Sequence, residues 1–139
     1  MQHLDELYHS IIREHNKNPL NYFKNEDVTH KIEAYNPLCG DHFHLYFDMH
    51  DNRITNLSFH GYGCAVSKAS ASIFTEKMNG LTLDEALSLY ERFYACAVEG
   101  KETGIKDFLP FQVASKFPGR EKCASLTWES FKEYVDRLK

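Results

Sequence analysis

The sequence predicts an α+β domain in which helices pack on a three-stranded antiparallel sheet. Apolar residues recur at helical spacing near both ends of the chain, and they alternate with polar residues in the β-rich segment between them. The length supports one compact unit, because 139 residues suit one ordinary domain and leave little room for two separate cores. We therefore expect a single domain over residues 1–139.

Three short segments predict the strands, and short connections would join them into an antiparallel meander. In the third segment, a period of two places Ile54 on one face of the strand and Leu57 and Phe59 on the other. The predicted strands are Lys31–Tyr35, His42–Asp48 and Ile54–His60, with a tight turn at Asp51-Asn52.

Helices are expected on both sides of these strands. The first runs from about Asp5 to His15 and ends before Asn18-Pro19, because proline cannot continue a helix. Thr82 and Glu85 have the spacing of a capping box at a helix start. The later predicted helices are 64–79, 83–99 and one that begins near Cys123, with a helical turn near 111–116 in the otherwise irregular stretch 104–119.

Composition excludes several classes of function. The chain has 16 Lys and Arg against 20 Asp and Glu, and a formal net charge of −4 argues against a nucleic-acid-binding protein. No apolar run approaches the roughly 20 residues that a membrane span needs. The first residues lack the basic and apolar regions of a signal peptide, so we expect cytoplasmic residence and no membrane partner.

Three cysteines occupy positions where the backbone is expected to turn or a helix to begin. Cys39 lies in a loop with Asp41, Cys64 follows a glycine-rich turn, and Cys123 follows two cations. A helix start favours the thiolate form, and three thiolates with one carboxylate suit tetrahedral Zn²⁺. The alternative is that small, partly buried cysteines only fill gaps in the core. Spacing alone leaves both interpretations open.

Other candidate residues have simpler interpretations. Cys96 lies beside the apolar stripe of a predicted helix, so we interpret it as a packed cysteine. We interpret His42, His44 and His60 as members of an exposed strand face rather than as metal ligands. The turn Gly61-Tyr62-Gly63 lacks the further residues of a dinucleotide fingerprint or a P-loop, so we do not interpret it as a phosphate site.

Four ordered motifs run along the chain: His15-x-x-Asn18-Pro19-x-Asn21, Asn36-Pro37-x-Cys39-Gly40-Asp41, Gly61-x-Gly63-Cys64-Ala65-Val66-Ser67-x-Ala69-Ser70 and Lys122-Cys123-x-x-Leu126. Together they resemble those of the U-type iron–sulfur cluster assembly proteins, and the resemblance covers nearly the whole chain, from about Leu4 to Val135. Within that group the chain looks most like the SufU branch. Lys122 precedes the last cysteine where IscU scaffolds typically carry His, and residues 100–117 look like the SufU extension.

The resemblance implies a SufU/IscU-like fold and a zinc site formed by Cys39, Asp41, Cys64 and Cys123. It also implies a partner, a PLP-dependent cysteine desulfurase of the SufS type. In this family the first cysteine, here Cys39, accepts persulfide sulfur from that partner and passes it toward downstream iron–sulfur assembly proteins. We expect Arg120 either to stabilise the anionic persulfide and position Cys39, or to be an ordinary cation at a helix start.

Two alternative functions remain open at this point. The same thiolates would suit a scaffold that holds a transient [2Fe–2S] cluster, as IscU proteins do. Lys122 and the SufU-like extension weigh against that function. The third possibility is a zinc-stabilised interaction module that transfers no sulfur.

Overall fold

A computed structural model describes residues 2–38, 40–117 and 120–138. In the described chain, one helix precedes three strands and further helices follow them, so the α+β prediction is confirmed. The helices are α1 (Gln2–Lys17), α2 (Ala65–Met78), α3 (Leu83–Ala97), α4 (Leu109–Ala114) and α5 (Arg120–Leu138), and the strands are β1 (His30–Asn36), β2 (Asp41–His50) and β3 (Arg53–Tyr62).

The sheet is the predicted antiparallel meander in the order β1-β2-β3. Asp51 and Asn52 form the tight turn between β2 and β3, and both have positive φ, at 51° and 63°. This backbone conformation matches the twist of a two-residue hairpin. The inner face of β2 is buried from Asp41 to Phe47, while His42, His44 and Tyr46 lie on its outer face.

The expected alternation on β3 is wrong at one point. Ile54, Leu57 and Phe59 are all buried in the same core, although a strict period of two separates Ile54 from the other two. Asn56 has a positive φ of 55°, and the pairing shifts register opposite it on β2. This irregularity inserts an extra residue and turns the start of the strand over, as a β-bulge does.

Two helices pack on the sheet and hold each other in place. Helix α5 contacts β1 and β2, α2 contacts β3, and α2 and α5 contact one another. The Trp128 indole N–H donates to Ser70 Oγ at 3.0 Å, and Ser70 in turn donates to the Ala124 carbonyl. These buried hydrogen bonds set the position of the first turns of α5 beside α2.

The His15–Asn21 motif joins the end of α1 to α2. His15 Nδ1 lies 2.8 Å from Ser72 Oγ, and the Leu20 N–H donates to the same oxygen. The Asn21 amide donates to Thr75 Oγ1 at 3.2 Å. Residues 19–27 form no helix and no strand of several residues, although Tyr22 makes one isolated bridge to Phe59.

The region before the last helix contains more regular structure than the sequence predicts. A 3₁₀ turn at Lys106–Phe108 leads directly into α4, and Phe108 and Phe111 are buried there. Helix α5 begins at Arg120, so Cys123 lies at the end of its first turn and not at its start. Within the described part of the chain, no helix combines the length and the apolar character that crossing a bilayer requires.

Candidate metal centre

Asp41 is the buried acid of the candidate site. It is the first residue of β2 and has no exposed surface. Its Oδ1 accepts the backbone N–H of Cys64 at 2.9 Å, which ties the start of β2 to the start of α2. Its Oδ2 is buried and has no hydrogen-bond partner among the described residues. A buried oxygen of this kind costs about 1–3 kcal/mol unless another group binds it.

Cys64 is the N-cap residue of α2. Its backbone is extended, with φ −71° and ψ 168°, and its sulfur accepts the Ser67 N–H at 3.4 Å. The Ser67 hydroxyl donates to the Cys64 carbonyl at 3.0 Å. The sulfur therefore lies at the positive end of the helix dipole, which favours an anionic ligand atom there. The thiol is partly exposed, so it faces both the site and the surface.

Cys123 completes the group from α5. Its side chain is buried, with 4% of its surface exposed. One ligand atom each from Asp41, Cys64 and Cys123 lies within 4.8 Å of the others. Three separate elements, β2, α2 and α5, supply these atoms. The structure thus brings together three of the four metal ligands that the sequence predicts, and their binding of a metal stays a prediction.

The other predicted site residues are Cys39 and Arg120. Cys39 lies outside the described residues, and the Arg120 side chain is likewise not described, so their roles stay predictions. Asn36 bonds to the residues on either side of Cys39, because its carbonyl accepts the Gly40 N–H at 2.9 Å and its side chain accepts the Leu38 N–H at 3.2 Å. Gly40 has a positive φ of 74°, which glycine adopts without strain.

The donor set fits zinc. Sulfur ligands and a carboxylate oxygen are groups that zinc binds, and Asp41 Oδ2 is a buried oxygen without a hydrogen-bond partner among the described residues. Space around the group is tight. A Cβ added to Gly63 would lie 2.5 Å from Ser67 Oγ and 2.7 Å from Asp41 Oδ1. Only glycine therefore fits between the acid and the helix start.

Cys96 differs from Cys64 and Cys123 because its thiol is packed inside a helix and does not belong to the candidate metal site. It is 1% exposed within α3, and its thiol donates to the Phe108 carbonyl at 3.2 Å. Burial raises the pKa of Cys96 to about 11, so the thiol stays protonated at neutral pH. The interpretation as a packed helical cysteine is confirmed.

Sequence reasoning placed Gly63 and Ser67 in a motif but assigned neither a role in shaping the site. Ser67 braces Cys64 through three hydrogen bonds, and Gly63 allows the acid to approach the helix start. The signal for Ser67 was present, since a capping residue typically interacts with the N–H of the residue three positions later. The signal for Gly63 was not, because its requirement comes from contacts between distant elements.

The family described as "NifU-like N terminal domain" matches residues 7–108 of the chain. The zinc-dependent sulfurtransferase SufU of Bacillus subtilis is 34% identical over 137 residues, which cover 95% of this chain and 91% of that protein. The iron–sulfur cluster assembly scaffold protein IscU of Streptococcus pyogenes is 33% identical over 140 residues, covering 96% and 86%. These two similarities are nearly equal, so they do not separate sulfur transfer from scaffolding.

Solved structures show the same architecture. The crystal structure of FiSufU from Fervidobacterium islandicum AW-1 superposes with a TM-score of 0.81 at 29% identity, covering 91% of this chain and 95% of that one. The NifU-like N-terminal protein from Brucella abortus has a TM-score of 0.84 at 20% identity, covering 96% and 95%. The second similarity shows the fold alone. Both agree with the three-stranded sheet packed by helices.

Proposed function

This chain belongs to the family of NifU-like N-terminal domains and is a U-type iron–sulfur cluster assembly protein, and within that family we propose that it acts as a zinc-dependent sulfurtransferase. The observation that carries the proposal is the buried Asp41 carboxylate. Its Oδ2 has no described hydrogen-bond partner, and one of its oxygens lies within 4.8 Å of the sulfurs of Cys64 and Cys123. A carboxylate among thiolates gives a harder and more exchangeable ligand than a fourth thiolate would.

Asp41, Cys64 and Cys123 would hold the zinc together with Cys39. When bound, zinc would act as a Lewis acid that keeps the cysteine thiols deprotonated, and its bonds to the sulfurs would protect them from oxidation. The chain's own residues prepare this arrangement. The Ser67 N–H and the N-terminal end of the α2 dipole favour negative charge on the Cys64 sulfur. The Cys64 N–H orients the Asp41 carboxylate.

Cys39 is the proposed sulfur acceptor. Its thiolate attacks the terminal sulfur of a persulfide on the donor protein, and a new S–S bond forms on Cys39 while the donor's cysteine leaves as a thiolate. No electrons are gained or lost overall in this exchange. Arg120, the first residue of α5, would stabilise the anionic persulfide that Cys39 then carries.

The proposed donor is a PLP-dependent cysteine desulfurase of the SufS type, in the cytoplasm. Exposed apolar side chains near the Cys39 loop support a docking partner. Leu38 is 85% exposed beside Cys39, and Tyr35 and Tyr62 are more than half exposed at the same end of the sheet. Large apolar side chains at such exposure are typical of surfaces that another protein covers.

The test is alanine release by the cognate desulfurase with zinc-loaded protein, a reductant and no added iron. We expect strong stimulation that is lost in Cys39→Ala. Cys96→Ala is the matched control, because it removes a thiol that is packed in α3 and stays protonated at neutral pH. Circular dichroism and zinc content of both variants show whether they fold and bind metal.

Loss of stimulation in Cys39→Ala but not in Cys96→Ala would support the transfer function. No stimulation by folded, zinc-loaded wild type would contradict it. Equal loss in both variants would also contradict it, because the effect would then follow from general disturbance of the fold.

The second candidate is a scaffold for a [2Fe–2S] cluster. The observation that favours it is the IscU relative at 33% identity, since thiolates also suit iron–sulfur clusters. Lys122 weighs against it, because it is an exposed cation where IscU scaffolds typically have histidine. Anaerobic reconstitution with iron and sulfide distinguishes the two: a stable brown chromophore together with no stimulation of the desulfurase would favour the scaffold.

A further inference from the structure

A second group of possible ligands lies on the solvent side of the sheet. Glu33 on β1 pairs directly with His44 on β2, and His42 lies two residues earlier on the same face. His42 Nε2 lies 2.7 Å from Glu33 Oε2, and His44 Nε2 lies 3.9 Å from the same oxygen. The three ligand atoms all lie within 4.8 Å of one another. Two imidazoles thus converge on one carboxylate oxygen.

Neighbouring rings hold the His42 imidazole in this position. Tyr35 on β1 and Tyr62 on β3 flank it, with ring centroids at 4.9 Å and 5.9 Å. The His44 ring lies 5.0 Å away on its own strand. Contacts from all three strands therefore orient His42 before any ligand arrives, which lowers the entropy lost on binding.

We propose that Glu33, His42 and His44 form a surface site for a divalent transition metal of the Zn²⁺ or Ni²⁺ class. Imidazole suits these ions, and one carboxylate contributes the negative charge that a cation requires. Metal–ligand bonds of about 2.0–2.2 Å need ligand atoms roughly 3 Å apart. His44 and Glu33 have 44% and 61% of their side-chain surface exposed, so rotation of these side chains can close the remaining gap.

His60 stays outside the site although it is opposite His44 on β3. The His60 ring stacks on the Tyr22 ring with centroids 4.8 Å apart, and the Lys68 ammonium lies over the Tyr22 ring. Burial first, and then the positive charge of Lys24, lower the pKa of His60. Nearby lysines repel a metal cation as they repel a proton. Among the residues that the structure describes, the site therefore has three protein ligands, and its remaining coordination positions are open to water or to a small ligand.

The site shares no residue with the buried Asp41–Cys64–Cys123 group. It contains nitrogen and oxygen ligands and no sulfur, and it opens to solvent. It does not depend on the proposed sulfur transfer. A metal that binds here exchanges with solution more readily than one enclosed by three elements.

The test is a nickel titration of purified, zinc-loaded protein by calorimetry, with histidine ring signals followed by NMR. We expect one equivalent of Ni²⁺ to bind and to broaden the His42 and His44 signals. In the double variant H42Q/H44Q and in Glu33→Gln, affinity should fall by at least about tenfold for each ligand removed. Glu33→Gln keeps the size and shape of the side chain, so it reports on the site even if the double variant folds poorly.

His50→Gln is the matched control. His50 lies on the same strand beside a carboxylate, with Nε2 3.4 Å from Asp51 Oδ2, but no second imidazole joins that pair among the described residues. Its loss should leave the isotherm unchanged. Binding that survives in H42Q/H44Q, or that disappears in His50→Gln, would overturn the proposal. A thiolate-to-nickel absorption band would also overturn it, because the nickel would then occupy the cysteines.

Discussion

Both groups of possible metal ligands include residues of strand β2, but they differ in burial and in the partners that their carboxylates have. Asp41 lies at the start of the strand, buried close to Cys64 and Cys123, and His42 follows it on the opposite, solvent-facing side. The buried group leaves a carboxylate oxygen without a described partner, while the surface carboxylate of Glu33 bonds to His42 and faces water. Asp41 and His42, which are adjacent in the strand, therefore lie in different electrostatic environments.

This difference predicts different consequences for stability. A buried polar atom without a partner costs free energy, so the fold gains when a ligand binds it. The exposed Glu33 and His42 side chains already interact with each other and with water, so metal binding at them adds little to the free energy of unfolding. The buried group is therefore expected to link metal to the stability of the whole domain, and the surface group is not.

Metal removal should give the largest effect. We expect a strong chelator to lower the melting temperature of the purified protein by on the order of 10 °C, because a ligand held at a thousandfold above its dissociation constant stabilises by about 4 kcal/mol. Differential scanning fluorimetry with and without chelator measures it. Asp41→Ala should lose this dependence, because it removes the buried carboxylate.

The contrast with the surface group provides the control. Glu33→Gln should retain the full effect of the chelator, because Glu33 lies on the outer face of the sheet. A melting temperature that the chelator leaves unchanged in wild type would contradict the link between the buried group and folding. An equal shift in wild type and Asp41→Ala would show that the metal acts elsewhere.

Gly63→Ala should give the next largest effect. The added methyl group would lie 2.5 Å from Ser67 Oγ, 2.7 Å from Asp41 Oδ1 and 2.8 Å from the Phe43 ring, so these neighbours must move. Overpacking of this kind costs about 1–3 kcal/mol and would displace the acid from the cysteines. We expect weaker zinc binding in competition with a chromophoric chelator and an unchanged nickel isotherm at the surface group.

Gly104→Ala is the matched control for this substitution. Gly104 has a positive φ of 77° and open space around it, so alanine there costs only backbone strain of roughly 1–2 kcal/mol. It should lose stability and keep zinc affinity. Zinc affinity equal to wild type in Gly63→Ala would show that the glycine does not shape the site.

Local patterns predicted most of the fold, and contacts between distant elements account for the rest. The Thr82 and Glu85 capping box is present with both hydrogen bonds, because caps depend on residues three positions apart. The bulge at Asn56 was missed, because asparagine tolerates a positive φ but its presence inside an alternating segment does not by itself predict one. The prediction at Ile54 failed for that reason alone.

The possible metal ligands were also predicted in part from local sequence and in part only from contacts between distant elements. Residue type and the resemblance to U-type proteins predicted Asp41, Cys64 and Cys123 as neighbours, and the structure places their ligand atoms within 4.8 Å of one another. The surface group was interpreted from the sequence as an exposed strand face. The period of two places His42 and His44 together, but the register that brings Glu33 to them follows from pairing of β1 with β2.

Glu33→Gln should give the smallest effect on stability. The Glu33 side chain is 61% exposed and its pair with His42 is open to solvent, so the pair contributes about 0–1 kcal/mol. Glutamine keeps an oxygen acceptor for His42, and we expect the free energy of unfolding in urea, measured with chelator present, to change by less than about 0.5 kcal/mol. A loss above roughly 1.5 kcal/mol would contradict the comparison, because the surface group would then be part of what holds β1 to β2. A small change in stability together with a large loss of nickel affinity is the combination that separates a binding site from a structural contact.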